Sequence, residues 1–198
     1  MALALGGCNL VASTRSAVEL PGGVLATTPD GYCFDAAASR IAEGFAMMAP
    51  CASLGEPEPA PATVGIATVQ VGPPGSATVT GAETALRDFL ITDAGVALLS
   101  QNGNANDIQI LSTQAFNGQV MVHFSDAGTP PMPGLQQGEW RAFTDVNGRL
   151  VTIAVRGLAV APLRDGPGAG LLKLVVAGVQ AVSGETPPAA VAASAVEG

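Results

Sequence analysis

The stretch Glu139-Trp-Arg-Ala-Phe-Thr-Asp-Val146-Asn147-Gly148-Arg149-Leu-Val-Thr-Ile-Ala-Val-Arg156 decides the fold. Two strand-like runs flank an Asn-Gly pair, which suits a two-residue type I′ turn because both turn residues take positive φ. With Val146 set opposite Arg149, the period of two sorts the side chains onto two faces. Trp140, Ala142, Thr144, Val146, Val151, Ile153 and Val155 share one face. Glu139, Arg141, Phe143, Asp145, Leu150, Thr152 and Arg156 share the other, with Glu139 directly opposite Arg156. An apolar face with a mostly polar reverse predicts an antiparallel sheet covered on one side, with Trp140 buried.

Working outward, Asn117-Gly118 predicts a second hairpin over 108–125. Its strands are apolar on both faces, which points to a central place in the sheet. Upstream, Thr80-Gly-Ala-Glu83 has capping-box spacing and predicts a helix over 81–90, with Val96–Leu99 continuing it or forming a second helix after Thr92-Asp93. Short strands are expected around Pro21-Gly22-Gly23, from Tyr32, over Glu43–Pro50 and over Val64–Val71. Downstream, Asp165 is placed to cap a helix carrying Pro167 in its first turn. Over 168–183, Gly178 and the valines leave strand open as the alternative to helix.

These elements predict one α+β domain over residues 17–183. It is a twisted, mostly antiparallel sheet with two or three helices on one face, and Pro-rich 55–62 is an extended connector. Residues 1–16 read as a lipobox-like signal remnant and tether, and 184–198 as a disordered Ala/Pro tail.

Composition narrows the function classes. The 198 residues are 48% hydrophobic and 12% charged, about half the ~25% charge typical of soluble domains. Net charge is −8 with only eight Lys and Arg, too few cations for a phosphate-binding footprint, so no nucleic-acid partner is expected. Mean hydropathy is +0.40, but no uninterrupted run approaches the ~20 apolar residues of a membrane span.

The tetrad Leu5-Gly6-Gly7-Cys8 resembles a bacterial lipobox, in which the cysteine is acylated and anchors the protein in a membrane. Asn9 follows it and, by resemblance to enterobacterial sorting, points to the outer membrane. Only seven residues precede Cys8, without a basic or a full apolar segment, which departs from a complete signal. With Cys8 acylated, Cys33 and Cys51, 18 positions apart, remain to form one disulfide in an oxidising periplasm. There is no Cys-x-x-Cys and no Cys/His set at metal-ligand spacing, so no metal or cofactor is expected.

The segments Pro29-Asp-Gly-Tyr-Cys33-Phe-Asp35, Ala94-Gly-Val-Ala-Leu-Leu-Ser100 and Glu139–Val151 resemble a family of uncharacterised exported proteins and lipoproteins of alphaproteobacteria of the Rhodobacter type. That resemblance brings no catalytic residues with it. The order helix, four-strand meander, helix is similar to the Mog1/PsbP/DcrB type of α+β fold.

Sites for chemistry are sparse. His123 faces Ser112 in the hairpin register, but no Gly-x-Ser-x-Gly elbow exists and no third partner is evident. Gly166-Pro-Gly-Ala-Gly170 fits a helix start, not a phosphate loop, and Asn102–Asp107 lacks an EF-hand's carboxylate ladder. Tyr32, Asp35 and Arg141 remain as candidate ligand or partner contacts. Tyr32 and Asp35 have a turn-fixing role as the alternative, and Arg141 a cross-sheet ion pair. The expected function is a non-enzymatic envelope lipoprotein, an accessory or interaction subunit anchored through Cys8 with an envelope protein as partner. The alternative is a periplasmic small-molecule binding protein, marked by a pocket lined by aromatics with Arg or Asp at its rim.

Overall fold

The computed structural model describes residues 16–182. Cys8, the tether and the 184–198 tail lie outside the described residues. Ten strands and three α-helices follow in chain order: β1 Ala17–Leu20, β2 Val24–Thr27, β3 Tyr32–Phe34, β4 Phe45–Pro50, β5 Ile66–Val71, α1 Glu83–Leu90, α2 Asp93–Leu99, β6 Ile108–Phe116, β7 Gln119–Asp126, β8 Leu135–Val146, β9 Arg149–Leu158, α3 Asp165–Ala177 and β10 Val179–Ala181. Seven strands form an antiparallel sheet in the order β3-β4-β5-β9-β8-β7-β6, and β1-β2-β10 form a second sheet. The expected α+β class is the observed one.

Both Asn-Gly turns have the expected form. Asn117 and Asn147 sit at φ 49° and 50°, each followed by glycine at 72°. Val146 pairs with Arg149 and Glu139 with Arg156, so the register expected from the Asn147-Gly148 turn holds along β8 and β9. The apolar face buries Trp140, Ala142, Ile153 and Val155 beneath Leu171, Leu172 and Val175 of α3 and the small sheet's Leu20 and Val24. Gly168 allows α3 to lie this close, because a Cβ there would fall 2.5 Å from the Trp140 ring.

The helices do not share one face. On the reverse side, α1 and α2 cover the β6–β7 end, burying Leu90 and Leu99 against Val120, Val122 and Phe124. The 108–125 hairpin has α1 and α2 as the cover of one face, and it lies at the sheet's end, not its centre. β9 holds the centre.

Two caps differ from expectation. Helix α1 starts at Glu83 and Thr80 makes no side-chain cap. The Glu83 carboxylate instead accepts from the Gly118 N–H of the first Asn-Gly turn, and Asp145 accepts from the N–H groups of Thr78, Val79 and Thr80. Asp165 is the first residue of α3, exposed and without a capping bond, and Arg164 holds the N-cap position. The 168–183 segment realises both alternatives in turn: helix to Ala177, Gly178 at its end, then β10 paired with β2. No helix among the described residues is long and apolar enough to cross a membrane.

Candidate functional site

On the reverse face the register lines up cross-strand rows. One row runs Ile66, Arg156, Glu139, Phe124, and the next runs Met47, Thr68, Ala154, Arg141, Val122. The β7 ends of these rows lie under α1 and α2. The β4-β5-β9-β8 ends stay open and floor a groove of about 240 Å³, walled by Phe45, Gln101, Met132 and Leu135.

A compact charge cluster sits in this floor. Glu139 is only 2% exposed, and its two carboxylate oxygens are divided between two arginines. Arg141 Nε donates to Oε1 at 2.5 Å and Arg156 Nε to Oε2 at 2.6 Å. Arg141 also lies over the Phe124 ring, its guanidinium carbon 5.1 Å from the centroid. The pairing breaks between Leu135 and Glu139, and this irregularity turns the Gln136 carbonyl toward Arg156 Nη1, 3.2 Å away. Arg156 Nη2 rests against Glu139 Oε2 yet has no hydrogen-bond partner.

The expected pairing of Glu139 with Arg156 is present, but as a buried pair and not on a solvated reverse face. Arg141 does find its carboxylate, Glu139, on its own strand two residues away.

Tyr32 and Asp35 lie elsewhere, at the β3 edge, and neither approaches Arg141, which stands four strands further across the sheet. The Tyr32 hydroxyl donates to the Thr63 carbonyl at 2.8 Å and accepts from Gly65 N–H at 3.1 Å. Burial raises its pKa to about 12, only partly opposed by the Gly65 N–H. Asp35 accepts from the N–H groups of Ala37 and Ala38. Both side chains thus fix loops. Cys33 and Cys51 form a disulfide with Cα atoms 4.9 Å apart, joining β3 to the end of β4. Glu58 lies beside the two sulfurs, but sulfurs bonded to each other are not thiolate ligands.

On the face that α3 packs against, Ser112 pairs with His123 as expected. The third residue, which sequence reasoning missed, is Asp165, whose Oδ1 lies 3.8 Å from His123 Nδ1. No sequence signal joins residues so far apart. His123 is stacked flat on Trp140, ring centroids 4.1 Å apart, and burial lowers its pKa despite the opposing pull of Asp165. Among the described residues no hydrogen bond links His123 to Ser112 or to Asp165, so the geometry is not that of an activated nucleophile.

No protein-family model and no curated protein matches this sequence. Solved structures do share its fold. The Ran-binding protein Mog1p of Saccharomyces cerevisiae superimposes with a TM-score of 0.52 at 13% identity, over 86% of this chain and 97% of that one. A Mog1 point mutant gives 0.52 at 14% identity, covering 84% and 95%. Cyanobacterial PsbP from Synechocystis gives 0.46 at 16%, covering 89% and 98%. The chain has a Mog1-type fold, as its element order suggested.

Proposed function

We propose that this chain is a non-enzymatic binding protein of the bacterial envelope, an exported lipoprotein acting as an accessory or interaction subunit. The observation that carries the reading is the open half of the seven-stranded sheet. Four neighbouring strands leave a partly apolar hollow uncovered, and its charged side chains are already locked by packing and mutual hydrogen bonds. Preorganised side chains lose little freedom on binding, which favours recognition. Mog1p, which shares the fold, is described as Ran-binding. That supports a partner-binding role for the scaffold and transfers no partner.

The Cys33–Cys51 bridge supports an oxidising compartment. Acylation of Cys8 would tether the domain, with Asn9 directing it to the outer membrane of an alphaproteobacterium. A photocrosslinking residue at Thr68, in the groove, tests the role in native membranes. One discrete protein adduct is expected from Thr68, and none from Lys173, exposed on α3 across the sheet. Equal adducts from both positions, or none from either, would contradict the proposal.

A second reading, a small-molecule binding protein, is favoured by one specific observation. The groove combines one aromatic wall, Phe45, with Arg141 in its floor, in part the aromatic-lined pocket with Arg or Asp at its rim that marks this alternative.

A further inference from the structure

The charge in the groove is unbalanced. Glu139 is the sole acidic residue lining it, against Arg141 and Arg156, so the cluster carries a net +1 in a protein whose net charge is −8. A net positive charge so deeply buried is unfavourable: Arg156, in a side chain only 5% exposed, already rests its Nη2 against Glu139, and Arg141 must share that one carboxylate. Arg141 makes its only hydrogen bond among the described residues through Nε, leaving its terminal nitrogens for a ligand. Around this charge Phe45, Met47, Ile66 and Leu135 give the groove an apolar side, with Gln101 among its polar lining. The volume of about 240 Å³ lies below the ~300–1,000 Å³ of pockets for drug-sized ligands.

The geometry points to a binding site for a small organic monocarboxylate. Its carboxylate meets the terminal nitrogens of Arg141, beside Arg156, and its short apolar body lies against Phe45, Ile66 and Leu135. This inference rests on the ligand-binding reading and adds the ligand's charge and size. An anion neutralises the excess, and its oxygens accept charge-assisted bonds from the Arg141 terminal nitrogens. A cation does neither, and a neutral oxygen acceptor satisfies a donor without neutralising the excess.

Titration calorimetry of the full chain with octanoate, octanol and octylammonium separates the claims. Octanoate should bind at least about tenfold tighter than octanol, the difference expected of a hydrogen bond to a charged group, and octylammonium should not bind. Arg141→Met should reduce octanoate affinity to that of octanol while leaving octanol unchanged. Ala154→Phe, which fills the groove floor without altering charge, should abolish both. Equal binding of octanoate and octanol would overturn the charge assignment while leaving the ligand-binding reading standing. Binding of none of the three would overturn both, and octanoate binding unaffected by either substitution would place the ligand elsewhere and refute the site.

Discussion

Replacing Glu139 with glutamine removes the one negative charge between two arginines while nearly preserving side-chain shape. Glu139 is 2% exposed, Arg156 5% and Arg141 13% in their side chains, so water does little to screen what is left. Removing one member of a buried charge pair typically costs about 3–5 kcal/mol, chiefly because its partner stays buried and unpaired. At roughly 2–4 °C per kcal/mol for a domain of this size, Glu139→Gln should lower Tm by about 10 °C. Urea unfolding should show the same loss as a lower midpoint at unchanged slope. The triple variant Glu139→Leu, Arg141→Met, Arg156→Met removes all three charges together and should recover most of the loss, since apolar replacement of a whole buried triad is often neutral or better. A Glu139→Gln cost under about 1 kcal/mol, in the range of exposed pairs, would refute the burial of this cluster.

Three further outcomes follow from single reporter groups. Tyr32 is the only tyrosine, so absorbance at 295 nm reads it alone, and the folded protein should ionise near pH 12. Its raised pKa means stability is intact below pH 10 and falls by about 3 kcal/mol as pH rises from 10 toward 12; a folded-state midpoint at 10 would contradict its burial. Trp140 is the only tryptophan and lies on His123, so its fluorescence should report imidazole protonation with a midpoint below 6.5. Because that pKa is lowered on folding, the His123 contribution is complete above pH 6.5 and fades as pH falls through the folded value; His123→Phe should abolish the fluorescence step, and its persistence would assign it to another group. Cys33→Ser should cost about 3 kcal/mol in oxidising buffer and nothing in reducing buffer, and equal melting in both would show that the bridge does not form.

What was legible in the sequence was local. Asn147-Gly148 fixes a turn type, the turn fixes the register, and the register by itself puts Glu139 against Arg156. Their burial was not legible, because it depends on β5 pairing with β9 and β4 with β5, and those strands are remote in sequence from β8 and β9. The same limit hid Asp165 from His123, which only the docking of α3 across the sheet brings together. The 108–125 hairpin misled for a related reason. Apolar residues on both faces require two covers but do not say whether the covers are strands or helices, and here α1 and α2 provide one of them. Thr80 and Glu83 have capping-box spacing, yet the Asp145 carboxylate holds the backbone around Thr80, and Glu83 turns to Gly118. Tyr32 and Asp35 stood out in a recognisable segment, and their hydrogen bonds are those of loop fasteners. Of the three contacts singled out, Arg141 is the one that lines the groove.

An envelope role requires that the chain be exported and anchored, and the intact mass of protein purified from the membranes of its native host tests this most directly. The account predicts a mass that starts at Cys8, carries acyl chains there, and includes one disulfide between Cys33 and Cys51. An unmodified chain beginning at Met1 with three free thiols would contradict it.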